Sequence, residues 1–195
     1  MKSLRTLLLS TLAIIGSDIA SAGNVIQTVE FPGLTPQVLY DAYLSSKQHA
    51  AMTGMPATYY RPSTQSEVAI GQEGDEFRGF GMTGSDGKFH YLIGGTLLRL
   101  VPGREIVMTW KALAWGPRTR SPDCILVLTF ANTPVGAEIR LVQVNVPDFP
   151  DLSDAKASAN GEAPTETDQV NTNWYFRYWE PMRKYFAATA KPAAP

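Results

Sequence analysis

Chemically reactive side chains are few in this sequence. The chain has two histidines, His49 and His90, and one cysteine, Cys124. Neither histidine has a second histidine or a cysteine at ligand spacing, so the sequence predicts no metal site and no bound cofactor. His90 stands near the start of a predicted strand, and its ordinary pKa of about 6.5 suits proton transfer, which makes it the candidate catalytic residue. His49 is interpreted as a solvated residue of a short helix, and Cys124 as a buried, unreactive thiol.

Two common catalytic motifs are excluded. No serine stands in the Gly-x-Ser-x-Gly frame of a nucleophile elbow, so serine-hydrolase chemistry of that type is not predicted. Residues 79–84 have the glycine spacing of a dinucleotide-binding loop, but Asp86-Gly87 directs the chain into another strand instead of a helix. This run therefore predicts a glycine-rich hairpin.

Large apolar side chains are spaced so that two elements each present one apolar face. Alternate residues around Trp110 are apolar, as on one face of a strand, and the last predicted helix repeats aromatic residues every three or four positions. If both faces point inward, they enclose a space lined by rings; plain core packing is the alternative. Two phenylalanines, Phe77 and Phe80, are predicted to line the mouth of that space. The candidate ligand-binding residues are Phe77, Phe80, Met108, Trp110, Trp174 and Tyr178.

Hydrophobic periodicity predicts the elements that position these residues. A proline-led helix ending at Leu44 and a second helix over 45–52 follow the first strand. A third helix begins near residue 171, and Pro181 should kink it. Short alternating runs separated by turn residues indicate an antiparallel meander. The predicted strands are 24–31, 58–61, 67–70, 76–80, 89–100, 105–113, 124–131 and 137–145.

Composition and the N-terminus limit the class of protein. The 195 residues include 17 basic and 18 acidic side chains. The chain therefore lacks the excess of basic residues that is typical of nucleic-acid-binding proteins, and no nucleic-acid partner is predicted. Basic residues, the short apolar run 7–16 and small residues up to Ala22 predict a signal peptide cut after Ala22, and therefore a periplasmic or secreted protein without stable membrane insertion. The predicted domains are a signal peptide over 1–22, one globular domain over 23–188 and a disordered Ala/Pro tail over 189–195. A long loop is predicted over 146–171.

A family resemblance rests on three segments. The run Gly-Gly-Thr-Leu-Leu-Arg-Leu-Val-Pro-Gly-Arg-Glu-Ile-Val-Met-Thr-Trp over 94–110 resembles a turn between central strands in the SRPBCC (START-like) superfamily. Together with Val29-Glu30-Phe31 and Asn173-Trp174, it is most similar to the branch named for the activator of the heat-shock-protein-90 ATPase. The resemblance implies an α+β helix-grip fold, in which a curved antiparallel sheet wraps around a long C-terminal helix, with two short helices after the first strand.

Three functions are compatible with these residues and with the resemblance, which implies a cavity for an apolar molecule. The first is an exported protein that binds an apolar or amphipathic small molecule between the sheet and the C-terminal helix. The second is an enzyme of the cyclase or hydrolase kind, with His90, Tyr60 or Arg78 as polar groups in the same cavity. The third is a co-chaperone-like module that docks on a protein partner. The sequence favours the first, and it does not establish that the chain is an enzyme.

Overall fold

The computed structural model describes residues 23–112, 124–146 and 173–189. One strand and two short helices come first, seven strands follow, and an aromatic-rich helix ends the described chain. The predicted α+β helix-grip fold is confirmed. The elements are β1 (Gly23–Pro32), α1 (Pro36–Leu44), α2 (Ser46–Thr53), β2 (Ala57–Arg61), β3 (Ser66–Val68), β4 (Glu76–Thr83), β5 (Phe89–Val101), β6 (Glu105–Ala112), β7 (Cys124–Thr133), β8 (Gly136–Val146), a π-helical turn (Tyr175–Trp179) and α3 (Glu180–Thr189).

All described strands form one antiparallel sheet in the order β1-β8-β7-β6-β5-β4-β2-β3. The meander predicted over 58–145 is found from β4 to β8, where each strand pairs with the next along the chain. It fails at β3, because β4 pairs with β2 and leaves β3 at the edge of the sheet. The first strand pairs with the last, from Gly23 opposite Val146 to Pro32 opposite Gly136. Strand β4 continues three residues beyond its predicted end at Phe80, and β3 ends at Val68, two residues before its predicted end.

Local capping explains the two short helices. The Thr35 hydroxyl accepts a hydrogen bond from the Val38 amide at the start of α1. Ser45 ends α1 and also caps α2, where its hydroxyl accepts from the Gln48 amide. Helix α2 ends at Gly54, whose φ of 70° is in the left-handed region that glycine adopts without strain. The predicted pair of short helices is therefore confirmed.

The C-terminal helix, residues 173–189, changes its winding just before Pro181. The amide of Glu180 donates to the Tyr175 carbonyl, five residues earlier, which defines a wider π-helical turn. Proline lacks the amide that would bond to Arg177 in an α-helix, and its ring clashes with that carbonyl, so a wider turn is the local solution. The sequence predicts a kink at Pro181, and the structure has a π-helical turn over Tyr175–Trp179 just before this proline. The helix continues to Thr189, one residue into the predicted tail.

The helices pack on one face of the sheet and enclose the core with it. Contributions come from the inner side of the strands, from α1 and α2, and from the C-terminal helix. No helix in the described ranges is long and apolar enough to span a membrane. The predicted signal peptide, most of the predicted 146–171 loop and residues 190–195 lie outside the described residues.

Candidate ligand site between the sheet and the C-terminal helix

The sheet contributes four of the six predicted site residues, Phe80 of β4 and three others on its inner face. Phe77 on β4 and Met108 on β6 are fully buried, and Trp110 is 8% exposed. Alternation along β6 places Met108 and Trp110 on the same side of the strand. The Phe77 and Trp110 rings stack with centroids 5.6 Å apart and an angle of 14° between their planes. The strands therefore supply a continuous apolar floor.

The C-terminal helix supplies the opposite wall. Trp174 and Tyr178 are four residues apart, and their ring centroids lie 4.4 Å from each other. Trp174 also packs on Trp110, at 5.1 Å between centroids, and its indole nitrogen donates to the Gln143 side-chain oxygen at 2.8 Å. One turn on, the Trp179 indole donates to the Gln27 side chain of β1. These two polar attachments fix the rotation of the helix over the sheet.

Phe80 reaches the same cluster through an unusual backbone conformation. Its φ is 52°, which is uncommon for a residue with a side chain. Its amide donates to the Pro56 carbonyl at 2.9 Å, and its ring lies 5.0 Å from that of Tyr178. With 9% exposure, Phe80 lies at the margin of the cluster. The sequence predicted Phe77 at the mouth of the space as well, and this prediction was wrong. Phe77 is fully buried, and its ring contacts those of His49, Tyr59 and Trp110.

Histidine 49 is the principal correction to the sequence interpretation. It is completely buried rather than solvated, and its ring stacks on Phe77 at 4.8 Å. It also makes edge contacts with Tyr43 and Tyr178. Met52, three residues further along α2 on the same helix face, is buried with it.

The hydrogen bonds of His49 determine its tautomer. Nδ1 lies 2.8 Å from the Tyr43 carbonyl, which can only accept, so Nδ1 carries a proton. In the neutral ring Nε2 is then an acceptor, and it receives the hydrogen bond of the Tyr178 hydroxyl at 3.3 Å. Burial lowers the pKa of His49 from 6.5 to about 4, although the hydrogen bond to the Tyr43 carbonyl opposes this effect. His49 is therefore neutral at pH 7.

Three tyrosine hydroxyls surround this histidine in the core. Tyr59 donates to the Tyr43 carbonyl at 2.7 Å, and Tyr178 is committed to His49. The Tyr43 hydroxyl is buried and has a weak side-chain hydrogen bond with Tyr178, which opposes the effect of burial on the pKa of Tyr43, but its geometry falls short of a well-formed bond. Burial raises the pKa of all three phenols above its usual range, so they stay protonated. The candidate site thus contains neutral hydrogen-bonding groups among aromatic rings.

The polar residues proposed for an enzyme do not lie in this space. Tyr60 and Arg78 neighbour Tyr59 and Phe77 in sequence, and strand alternation places them on the other side of the sheet. Arg78 lies 4.1 Å above the Tyr60 ring. His90 is exposed at the β4–β5 hairpin, with Nε2 3.0 Å from the Asp86 carboxylate. The placement of these groups in the inner cavity was therefore wrong.

Other sequence predictions concern metals and the cysteine. Cys124 is buried, as predicted, and its sulfur donates to the Asn145 carbonyl. Within residues 23–112, 124–146 and 173–189, no group of three or more histidine, cysteine or acidic residues is placed to hold a metal ion.

Comparisons with known proteins identify the family. Residues 34–187 match the family model described as activator of Hsp90 ATPase homolog 1-like protein. The chain belongs to this family. The predicted resemblance is therefore confirmed. No curated protein matches the chain.

Solved structures agree on the fold of this family member. A protein from Mycobacterium smegmatis is similar with a TM-score of 0.56 and 16% identity, over 88% of this chain and 93% of its own. One from Chromobacterium violaceum has a TM-score of 0.53 and 21% identity, over 87% and 99%. A third, from Mesorhizobium loti, has a TM-score of 0.54 and 13% identity, over 87% and 100%. At these identities the likeness establishes the fold alone.

Proposed function

We propose that the chain is an exported binding protein that holds an apolar or amphipathic small molecule between the inner face of the sheet and the C-terminal helix. The ligand would contact the six residues expected from the sequence, together with His49 and Tyr43. Because these side chains contact one another, binding requires some rings to move apart. Phe80 and Trp110 retain slight exposure and would form the entry.

The observation that carries this proposal is the buried Tyr43 hydroxyl. A buried hydroxyl without a well-formed hydrogen bond costs up to about 1–3 kcal/mol, and the Tyr43 hydroxyl has only its poorly aligned interaction with Tyr178. The Tyr43 ring packs against both the His49 and the Tyr178 rings, inside the aromatic layer. An oxygen atom on a ligand would accept the Tyr43 hydrogen bond and remove this cost.

The charge distribution of the site restricts the ligand. His49 is neutral, the surrounding phenols are protonated, and the buried carboxylate in the described core, Asp75, is paired with Arg61 at 2.8 Å. A charged group entering this layer would lose its hydration without meeting a counter-charge. The buried part of the ligand is therefore uncharged, with an oxygen such as a carbonyl, ether or hydroxyl beside Tyr43.

Native mass spectrometry of protein purified from the exported fraction tests the proposal. We expect a population heavier than the chain, and solvent extraction should release a recurring small molecule with rings or long alkyl groups. Protein from repeated preparations that carries no released molecule, and that binds none from an extract of its own cells, would contradict the proposal.

Two tyrosine variants give the sharper test. Tyr43→Phe removes only the hydroxyl that lacks a well-formed hydrogen bond, so we expect thermal stability within about 1 kcal/mol of wild type and at least a tenfold loss of retained ligand. Tyr59→Phe is the matched control, because its hydroxyl already bonds to the Tyr43 carbonyl. It should lower stability by about 1 kcal/mol and leave ligand retention within twofold of wild type. Equal retention by the two variants would exclude Tyr43 as the anchor.

A further inference from the structure

A depression lies on the outer face of the sheet, across strands whose inner face carries the aromatic layer. It has a volume of about 780 Å³ and crosses β4, β5 and β6. This volume lies within the range of roughly 300–1,000 Å³ that is typical of small-molecule sites. The residues that carry the argument are Glu76, Arg78, Met82, Leu92, Gly94 and Lys111.

Strand register places one basic residue on each side of Gly94, which has no side chain. Arg78 on β4 is directly opposite Gly94 on β5, and Gly94 is directly opposite Lys111 on β6. Neighbouring strands are about 4.8 Å apart, so the two basic residues originate about 10 Å from each other on the same face. Both residues line the depression, so both contribute positive charge to its wall.

Existing contacts hold Arg78 in position without committing it to a strong partner. Its guanidinium lies over the Tyr60 ring, and one nitrogen is 2.8 Å from the Glu76 carboxylate. The Arg78 and Glu76 side chains are 33% and 42% exposed. Ion pairs at this exposure contribute little to stability, so another carboxylate can replace Glu76 at modest cost.

The end of the groove near the β4–β5 hairpin carries several apolar side chains, with His90 as a polar member. Leu92 and Phe89 both lie on β5, where Phe89 is the first residue and is 49% exposed. Met82 of β4 is 56% exposed. Phe89 and Tyr91 make an edge contact at 5.1 Å between ring centroids. Exposed apolar side chains beside a pair of cations form a site with one charged end and one apolar end.

We propose that this groove binds a small amphipathic carboxylate. The carboxylate lies over Gly94 between Arg78 and Lys111, and the apolar part extends along Leu92 and Met82 toward Phe89. Arginine suits this role because its planar guanidinium can bond both oxygens of a carboxylate. The site is separate from the inner layer and is independent of the function proposed for it.

Titration of isotope-labelled protein with octanoate tests the groove, with 1-octanol as the uncharged analogue. Octanoate should shift the backbone amide signals of Gly94 and Lys111, and 1-octanol should bind there at least tenfold more weakly. Arg78→Gln and Lys111→Gln should each weaken octanoate binding at least fivefold. Arg140→Gln is the matched control, because Arg140 is an exposed cation of β8 outside the groove. The affinity of this variant for octanoate should stay within twofold of wild type.

A variant with the opposite sign guards against loss of affinity through misfolding. Glu76→Gln removes the carboxylate that competes for Arg78, so octanoate should bind at least twofold more tightly. Equal affinities for wild type, Arg78→Gln and Lys111→Gln would overturn the proposal. Shifts confined to the indole signals of Trp110 and Trp174 would also overturn it, because they would locate octanoate in the inner layer.

Discussion

His49 shows how one buried residue couples the short helices to the C-terminal helix. Its Nδ1 donates to the end of α1, and its Nε2 accepts from Tyr178 on the C-terminal helix. Protonation of Nε2 would remove that acceptor and place a charge among aromatic rings. The neutral ring is thus part of the packing, and its titration should be visible in the stability of the whole domain.

We predict that the free energy of unfolding falls as pH is lowered from about 6.5 to about 4. The pKa of His49 is about 4 in the folded protein and 6.5 without the surrounding structure. In this window the unfolded chain binds more protons, so acid favours unfolding, by up to about 3 kcal/mol. Urea denaturation at several pH values measures the effect.

Variants of the two histidines assign this pH dependence. His49→Gln should be less stable at pH 7 and should lose most of the slope between pH 6.5 and 4. His90→Gln should retain the slope, because His90 is exposed on the hairpin. Asp75, whose pKa is lowered by its hydrogen bonds with Arg61, contributes at lower pH. A wild-type protein with constant stability across the window would contradict the role given to His49.

At the scale of elements, the close approach of β5 and β6 depends on Gly95. A Cβ atom at this position would lie 1.7 Å from the Thr109 carbonyl oxygen on β6. The obstacle is backbone, so relief would require the two strands to separate. These strands carry Trp110 toward the core and Gly94 and Lys111 toward the outer groove, so one glycine supports both candidate sites.

We predict that Gly95→Ala destabilises the protein by about 3 kcal/mol or more, or prevents folding. Gly54→Ala is the control: a Cβ there meets no atom within 4 Å, and only its φ of 70° is unfavourable, which costs about 1 kcal/mol. Urea denaturation of both variants measures the difference. If Gly95→Ala were as stable as Gly54→Ala, the spacing of β5 and β6 would not be as described.

For the whole molecule, export is a proposal that rests on the N-terminal sequence alone. The predicted cut after Ala22 falls directly before Gly23, the first residue of β1, which pairs with Val146. Cleavage there would leave the edge strand intact. The same boundary would separate the targeting segment from every residue of the two candidate sites.

We predict that the mature protein outside the cytoplasm begins at Gly23. N-terminal sequencing and intact mass of the periplasmic and medium fractions measure this. Ala22→Leu should block processing and leave a membrane-associated precursor, whereas Ser21→Leu should be processed, because the middle position of the small-residue motif is not restricted. Protein that begins at Met1 and stays in the cytoplasm would exclude the export proposal.

The sequence by itself determined the elements and their class. Alternation marked seven of the eight strands closely, since each half-buried strand must alternate polar and apolar residues. Local capping residues fixed α1 and α2, and proline chemistry placed the irregularity in the last helix. The same patterns selected five aromatic residues that the fold brings together in one ring layer, and Met108, which is buried in the same core.

Only the tertiary structure decided which polar residues lie inside. A helix of eight residues such as α2 has too few turns to show a clear apolar face. His49 is buried because α1, β4 and the C-terminal helix all pack against it, and the sequence of α2 does not reveal this. The left-handed backbone of Phe80 depends on its bond to Pro56, which is distant in sequence. Arg78, Gly94 and Lys111 form a row only through strand register, because register is a property of paired strands and not of any one segment.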